Sequence, residues 1–216
     1  MHFFLCGSII AEKWVFFKTC SYCPLRYNIQ HKGEYTMVYY HCSPTAGLSV
    51  LEPRKPKTFE KPARVYMTTL LPMALMYSIQ NYEYTYGYTK EGQIYLEEYF
   101  PNALDLYRGK SASLYICDPA HTESTKIPNE AISEAAVPVI REIPIRDALE
   151  ALLEQERLGV LVIYRYHMLS ERKLEWICKV EAECIVKSNL HNTPGPMADY
   201  YREHYPLSWE LAKKML

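Results

Sequence analysis

Short apolar runs separated by turn residues fill the chain from Met37 onward, and their period changes along its length. Residues 37–41 (MVYYH) predict a strand, 44–47 a turn, and 48–53 (LSVLEP) a brief apolar alternation. Pro53 ends that alternation, because proline has no N–H to give a sheet ladder. Residues 53–62 place Lys55, Lys57 and Lys61 among three prolines and predict a solvated loop. Residues 63–68 (ARVYMT) are the next strand, and 70–80 (LLPMALMYSIQ) carry helical spacing, with Pro72 in the first turn where its missing N–H costs little.

In NYEYTYGYT, Tyr82, Tyr84, Tyr86 and Tyr88 alternate, which puts four rings on one face of an extended strand. Gly87 interrupts that run and predicts a bulge or a place where another group approaches the backbone. Residues 93–95 continue as strand, 97–109 read as a short helical or turn segment ending at Gly109, and 111–118 (SASLYICD) as a further strand.

The last third changes period. Residues 136–145 (AVPVIREIPI) form a strand, and 146–159 an amphipathic helix with Leu149, Leu152 and Leu153 on one side and Gly159 as its stop. Residues 160–166 are a strand or extended link. Ser170 is placed to cap a helix carrying Leu174, Ile177, Cys178 and Ile185, and the tail from Met197 is helical with a break at Pro206. The expected fold is α+β: a domain over 37–145, followed by a helical C-terminal segment over 146–216 that packs on it.

Residues 1–36 stand apart. Their apolar stretch HFFLCGSIIA has no Lys or Arg before it, is interrupted by Glu12 and Lys13, and is too short for a bilayer. Codons for Lys32-Gly33-Glu34 can spell a bacterial ribosome-binding sequence just before the Met37 codon. Residues 1–36 are therefore expected to be a translated leader, with Phe3, Phe4, Trp14 and Phe16 packing poorly on the rest.

Composition narrows the function classes. A formal net charge of -1 argues against binding nucleic acid by counterion release. Seven cysteines, odd in number and mostly scattered, suit a reducing cytoplasm. Cys20 and Cys23 have CxxC spacing, but no second pair follows, so no metal site is expected. Twenty tyrosines against eight glycines supply flat rings with polar tips, suited both to sheets and to a pocket for a planar ligand. His41, at the end of the first strand, either closes a turn or reads a ligand at the mouth of a sheet, and partners elsewhere must decide which. Cys42 beside it is no catalytic partner, since neighbours in a strand face opposite ways.

Three short motifs supply such partners by their order. His41-Cys42-Ser43 lies on the first strand, Val65-Tyr66-Met67-Thr68 on the strand before an Ala74-containing helix, and Asn129-Glu130 introduces a later strand. In this order the chain resembles the ADP-ribosyltransferase superfamily, in its His-Tyr-Glu branch of poly(ADP-ribose) polymerases and rifampicin ADP-ribosyltransferases. The resemblance covers residues 37–145 and implies a split mixed sheet that binds NAD as substrate.

It further implies that His41 bonds the adenosine-side ribose, Tyr66 stacks on nicotinamide, and Ser43 and Thr68 belong to the cofactor-binding motifs. Glu130 or Glu134 would be the catalytic acid that stabilises the oxocarbenium-like state as the glycosidic bond breaks. The acceptor of ADP-ribose stays open between protein, nucleic acid and small molecule. Cys42 stands where relatives carry glycine. An inactive module of the same fold, binding a nucleotide or a protein, is the alternative, and an unrelated interaction protein using its tyrosine-rich sheet is a third.

Overall fold

The computed structural model describes residues 29–31, 34–55, 62–79 and 84–216. Phe3, Phe4, Trp14, Phe16, Cys20, Cys23 and Tyr82 lie outside them. Strands β1 (Ile29–His31) and β2 (Glu34–Thr36) pair antiparallel as a hairpin of their own. The rest is an α+β arrangement of two further sheets and five α-helices among the described residues.

The larger sheet is built from β3 (Tyr39–Ser43), β4 (Val50–Leu51), β5 (Val65–Thr68), β8 (Ala112–Cys117), β9 (Glu123–Ser124), β10 (Glu130–Ser133) and β11 (Val137–Ile145). Its order is β4-β11-β8-β3-β5-β10-β9, and every pairing is antiparallel. The smaller sheet sets β7 (Ile94–Glu98) between antiparallel β6 (Tyr84–Tyr88) and parallel β12 (Leu161–Tyr164).

Helices α1 (Leu71–Met76) and α2 (Ala148–Arg157) join the two sheets through one apolar core. Met73 and Met76 from α1, Leu149 and Leu152 from α2, Leu96 from β7, Leu114 from β8 and Ile163 from β12 are all buried in it. Each fully buried aliphatic side chain of this kind contributes about 1.5–3 kcal/mol. The opposite face of the larger sheet buries Val65, Met67, Tyr115 and Val137 in a second cluster. Strand β8 serves both clusters, which is why Ala112 to Tyr115 are buried without alternation.

The expected local signals hold at the helix ends. Asp147 caps α2 by accepting from Leu149 N at 2.9 Å and Glu150 N at 3.3 Å, and its other oxygen accepts from Gly109 N at 3.0 Å. Gly159 follows α2 with φ of 69°, a conformation that costs glycine nothing. Ser170 accepts from Lys173 N at the start of α3 (Glu171–Lys187). Tyr205 separates α4 (Pro196–His204) from α5 (Pro206–Met215), with Pro206 opening the second helix. A third core lies among these helices, with Ile177, Ile185, Tyr205 and Trp209 packed on Phe100 and Ala103.

Residues 97 and 98 differ from the sequence expectation of a short helical or turn segment: both are strand residues of β7, and both are buried. Glu98 is satisfied internally, since its carboxylate accepts from Leu104 N and from Tyr166 N, each at 3.0 Å. Glu97 lies 2.7 Å from Lys173 Nζ, tying β7 to α3. A buried carboxylate needs such partners, and partners distant in sequence leave no local trace.

Gly87 carries no bulge, because Tyr84 to Tyr88 pair with Glu98 to Ile94 in unbroken register. A Cβ at Gly87 would lie 2.7 Å from the Tyr95 hydroxyl oxygen, so the glycine makes room for the ring opposite it. No helix among the described residues is long and apolar enough to cross a membrane.

Candidate functional site

The ladder between β3 and β5 consists of one pair, Tyr40 with Thr68. Beyond that pair the sheet is open, and the carbonyl of Tyr66 receives the His41 ring instead of a backbone N–H. His41 Nδ1 lies 2.9 Å from Tyr66 O. A carbonyl only accepts, so Nδ1 carries the proton, and in the neutral ring Nε2 is left as an acceptor. Burial pulls the His41 pKa down and the charge of Arg54 pushes the same way, while the bond to Tyr66 opposes them. The neutral ring is the form that this site favours.

A cavity of about 350 Å³ opens at this gap, lined by Tyr40, His41, Cys42, Tyr66, Met67, Thr68, Met73, Ala74, Tyr77 and Glu130. That volume lies within the roughly 300–1,000 Å³ usual for small-molecule sites. Register explains most of the convergence. Glu130 pairs with Thr68, and Ile132 with Tyr66, so alternation puts Glu130, Thr68 and Tyr66 on one face, together with Tyr40 and Cys42 of β3. By the same alternation His41 belongs to the other face. It reaches the cavity because the strands are not paired at its position.

Helix α1 closes the wall with Met73 and Ala74, and Tyr77 follows at its C-cap. Thr68 holds this helix in place: its hydroxyl accepts from Leu70 N at 3.0 Å and donates to Met73 Sδ at 3.3 Å. The Tyr77 hydroxyl donates to that of Tyr86 at 3.4 Å, which links the cavity wall to β6. The charge of Glu130 adds to burial in raising the Tyr86 and Tyr88 pKa values, so the acid and the tyrosine strand are electrostatic neighbours.

Of the six residues singled out from sequence, the structure gathers His41, Tyr66, Thr68 and Glu130 at one cavity and leaves Ser43 and Glu134 outside its lining. Ser43 Oγ accepts from Thr45 N at 3.1 Å and shapes the turn after β3. Glu134 sits past the end of β10, about 13 Å along the strand direction from Glu130 at the rise of an extended chain. Its Oε1 is 3.0 Å from the Arg64 guanidinium, and its side chain is 57 % exposed. Glu130 is thus the acid that shares the cavity. Cys42 also lines it, with burial pushing its thiol up to about 12, so the sulfur is a neutral, unreactive wall.

Tyr40 and Tyr77 were not singled out from sequence. Their signal was the tyrosine excess itself, which does not say which of twenty rings meets the cavity. Among the described residues, no group of three or more His, Cys, Asp or Glu side chains is arranged to hold a metal ion. The chain matches no known family model and no curated protein.

Proposed function

We propose that the chain is an NAD-dependent ADP-ribosyltransferase, and that the open gap between β3 and β5 is the split of an ADP-ribosyltransferase-like sheet. The observation that carries the reading is the shared cavity of His41, Tyr66 and Glu130, three residues from separate motifs that no local spacing brings together. Tyr66 and Tyr77 supply aromatic surface for the planar nicotinamide ring. His41 Nε2 accepts from a ribose hydroxyl of the adenosine half.

When the bond between nicotinamide and C1′ of its ribose breaks, nicotinamide leaves as a neutral base with the bonding pair, and positive charge spreads over the ribose. A Glu130 carboxylate held beside that ribose stabilises this charge without having to reorganise. The acceptor's nucleophile then bonds to C1′ and loses its proton. The acceptor is a protein, a nucleic acid or a small molecule.

Calorimetry with NAD and assay of nicotinamide release test the reading on wild-type chain and Glu130→Gln. The variant should keep NAD affinity within a few-fold and lose about 10² or more in release, the scale of removing one preorganised contact. Failure of the wild type to bind NAD would sink the proposal.

The Cys42 side chain on the cavity wall supports a second reading, a nucleotide-binding module without transfer, because it occupies space that glycine leaves open in the family that the chain resembles. Wild-type chain that binds NAD and releases no nicotinamide with any acceptor selects this reading.

A further inference from the structure

Glu130 follows an asparagine whose backbone and side chain are both tied down. Residues 127–130 (IPNE) form a reverse turn in which Glu130 N donates to Ile127 O at 3.2 Å. Pro128 holds the second place and Asn129 the third, with a φ of 64°. Proline followed by a residue of positive φ is the pattern of a type II turn, where glycine is the ordinary choice for the third place. Asparagine tolerates that conformation and brings an amide that glycine lacks.

Both ends of that amide are in use. Thr69 Oγ1 donates to Asn129 Oδ1 at 3.3 Å, and Asn129 Nδ2 donates to the Tyr88 hydroxyl at 3.1 Å. Tyr88 in turn donates to Pro128 O at 2.7 Å, and Thr69 N donates to Asn129 O at 3.0 Å. The turn is therefore gripped from two directions, by the residue after β5 in one sheet and by the last residue of β6 in the other. Burial holds the Tyr88 phenol up at about 12, which keeps its proton available as a donor.

We propose that Asn129 and Tyr88 are positioning residues that aim the Glu130 side chain into the cavity, so that the tyrosine-bearing strand of the smaller sheet sets the acid of the larger one. The catalytic consequence rests on the transferase reading above; the positioning itself does not. A reactive carboxylate on the first residue of a strand, directly after a turn, needs such fixing, since a misplacement of about 1 Å costs on the order of 10²-fold in rate.

Two variants isolate the effect. Asn129→Gly retains a residue suited to positive φ and deletes only the two amide bonds. Tyr88→Phe deletes the hydroxyl that serves both Pro128 and Asn129. Each should lower nicotinamide release at saturating NAD by about 10-fold or more with KM within a few-fold, and the double variant should fall little further, because both act on one network.

Each should also move the ¹³C resonance of the Glu130 side-chain carboxyl in ligand-free protein, a readout that a purely structural role elsewhere would leave in place. Wild-type release rates together with an unmoved Glu130 resonance in both variants would overturn the proposal. If the wild type itself releases no nicotinamide, the transferase reading has failed separately, and the resonance alone decides: displaced, positioning stands; unmoved, it falls.

Discussion

The His41 ring donates from Nδ1 to the backbone carbonyl of Tyr66 across 2.9 Å, at the point where the ladder between β3 and β5 has ended after a single pair. One side chain thereby takes the place of a strand-to-strand hydrogen bond and keeps the gap that forms the cavity.

Replacing that ring tests the link. His41→Ala should destabilise the fold by about 1 kcal/mol, the usual net value of one hydrogen bond in a part-exposed place, and, if the transferase reading holds, weaken NAD binding to a larger extent. The pH dependence follows from burial. The folded pKa of His41 lies below the ordinary 6.5, so the unfolded chain takes up the proton first. Its contribution to stability is full above about 6.5 and declines as pH falls below that value, through the folded midpoint. Urea titrations from pH 5 to 8 should show this slope in the wild type and a shallower one in the variant.

Tyr66 separates a binding role from a packing role. It is 39 % exposed despite its size. Tyr66→Ala should therefore leave stability within about 0.5 kcal/mol, as surface substitutions do. It should weaken NAD binding by about 1–3 kcal/mol if the ring stacks on nicotinamide, by analogy with bases stacked on aromatic side chains. Parallel calorimetry and thermal melts distinguish the two; equal loss of both would make the residue merely structural.

Gly87 and Tyr95 should be energetically coupled. A methyl group at position 87 would meet the Tyr95 ring at 2.7 to 3.0 Å, and the ring also packs edge-on against Tyr164 with centroids 5.2 Å apart. Gly87→Ala should cost about 1–3 kcal/mol, the range of small overpacking substitutions. In a Tyr95→Ala background the same substitution should cost much less, which a double-mutant cycle measures.

Glu181, in α3, predicts a pH response of opposite sign. Burial pushes its pKa up to about 7, only partly offset by the Tyr201 hydrogen bond. The unfolded chain, with a carboxyl near 4.5, loses its proton first, so stability is full below about 4.5 and falls as pH rises through about 7. The total change is on the order of 3 kcal/mol. Glu181→Gln should flatten the denaturation midpoint between pH 5 and 8, and an unchanged slope would contradict the assignment.

The elements of this fold were legible wherever a local signal is sufficient to define them. Ser170 as a cap, Gly159 as a stop, the break at Pro206 and the strands around Tyr40, Tyr66 and Leu114 follow from propensity, capping and period, which act over a few residues. The short β10 was legible only as a later strand introduced by Asn129-Glu130, through the resemblance and not through a period of its own.

What the sequence left open were distances between residues far apart in the chain. It offered Glu130 and Glu134 as candidate acids, Glu130 the preferred one; strand register places Glu130 opposite Thr68 at the cavity, and Glu134 lies against Arg64 in solvent. It read Glu97 and Glu98 as the start of a short helical or turn segment, and the partners of their buried carboxylates, Lys173, Leu104 and Tyr166, carry no local signal. Above all, alternation within β3 and β5 assigns His41 and Tyr66 to opposite faces, and their shared cavity exists because those strands stop pairing after Tyr40 and Thr68. A chain's own order dictates which side each residue faces along one strand, while where two strands part is settled by everything packed around them.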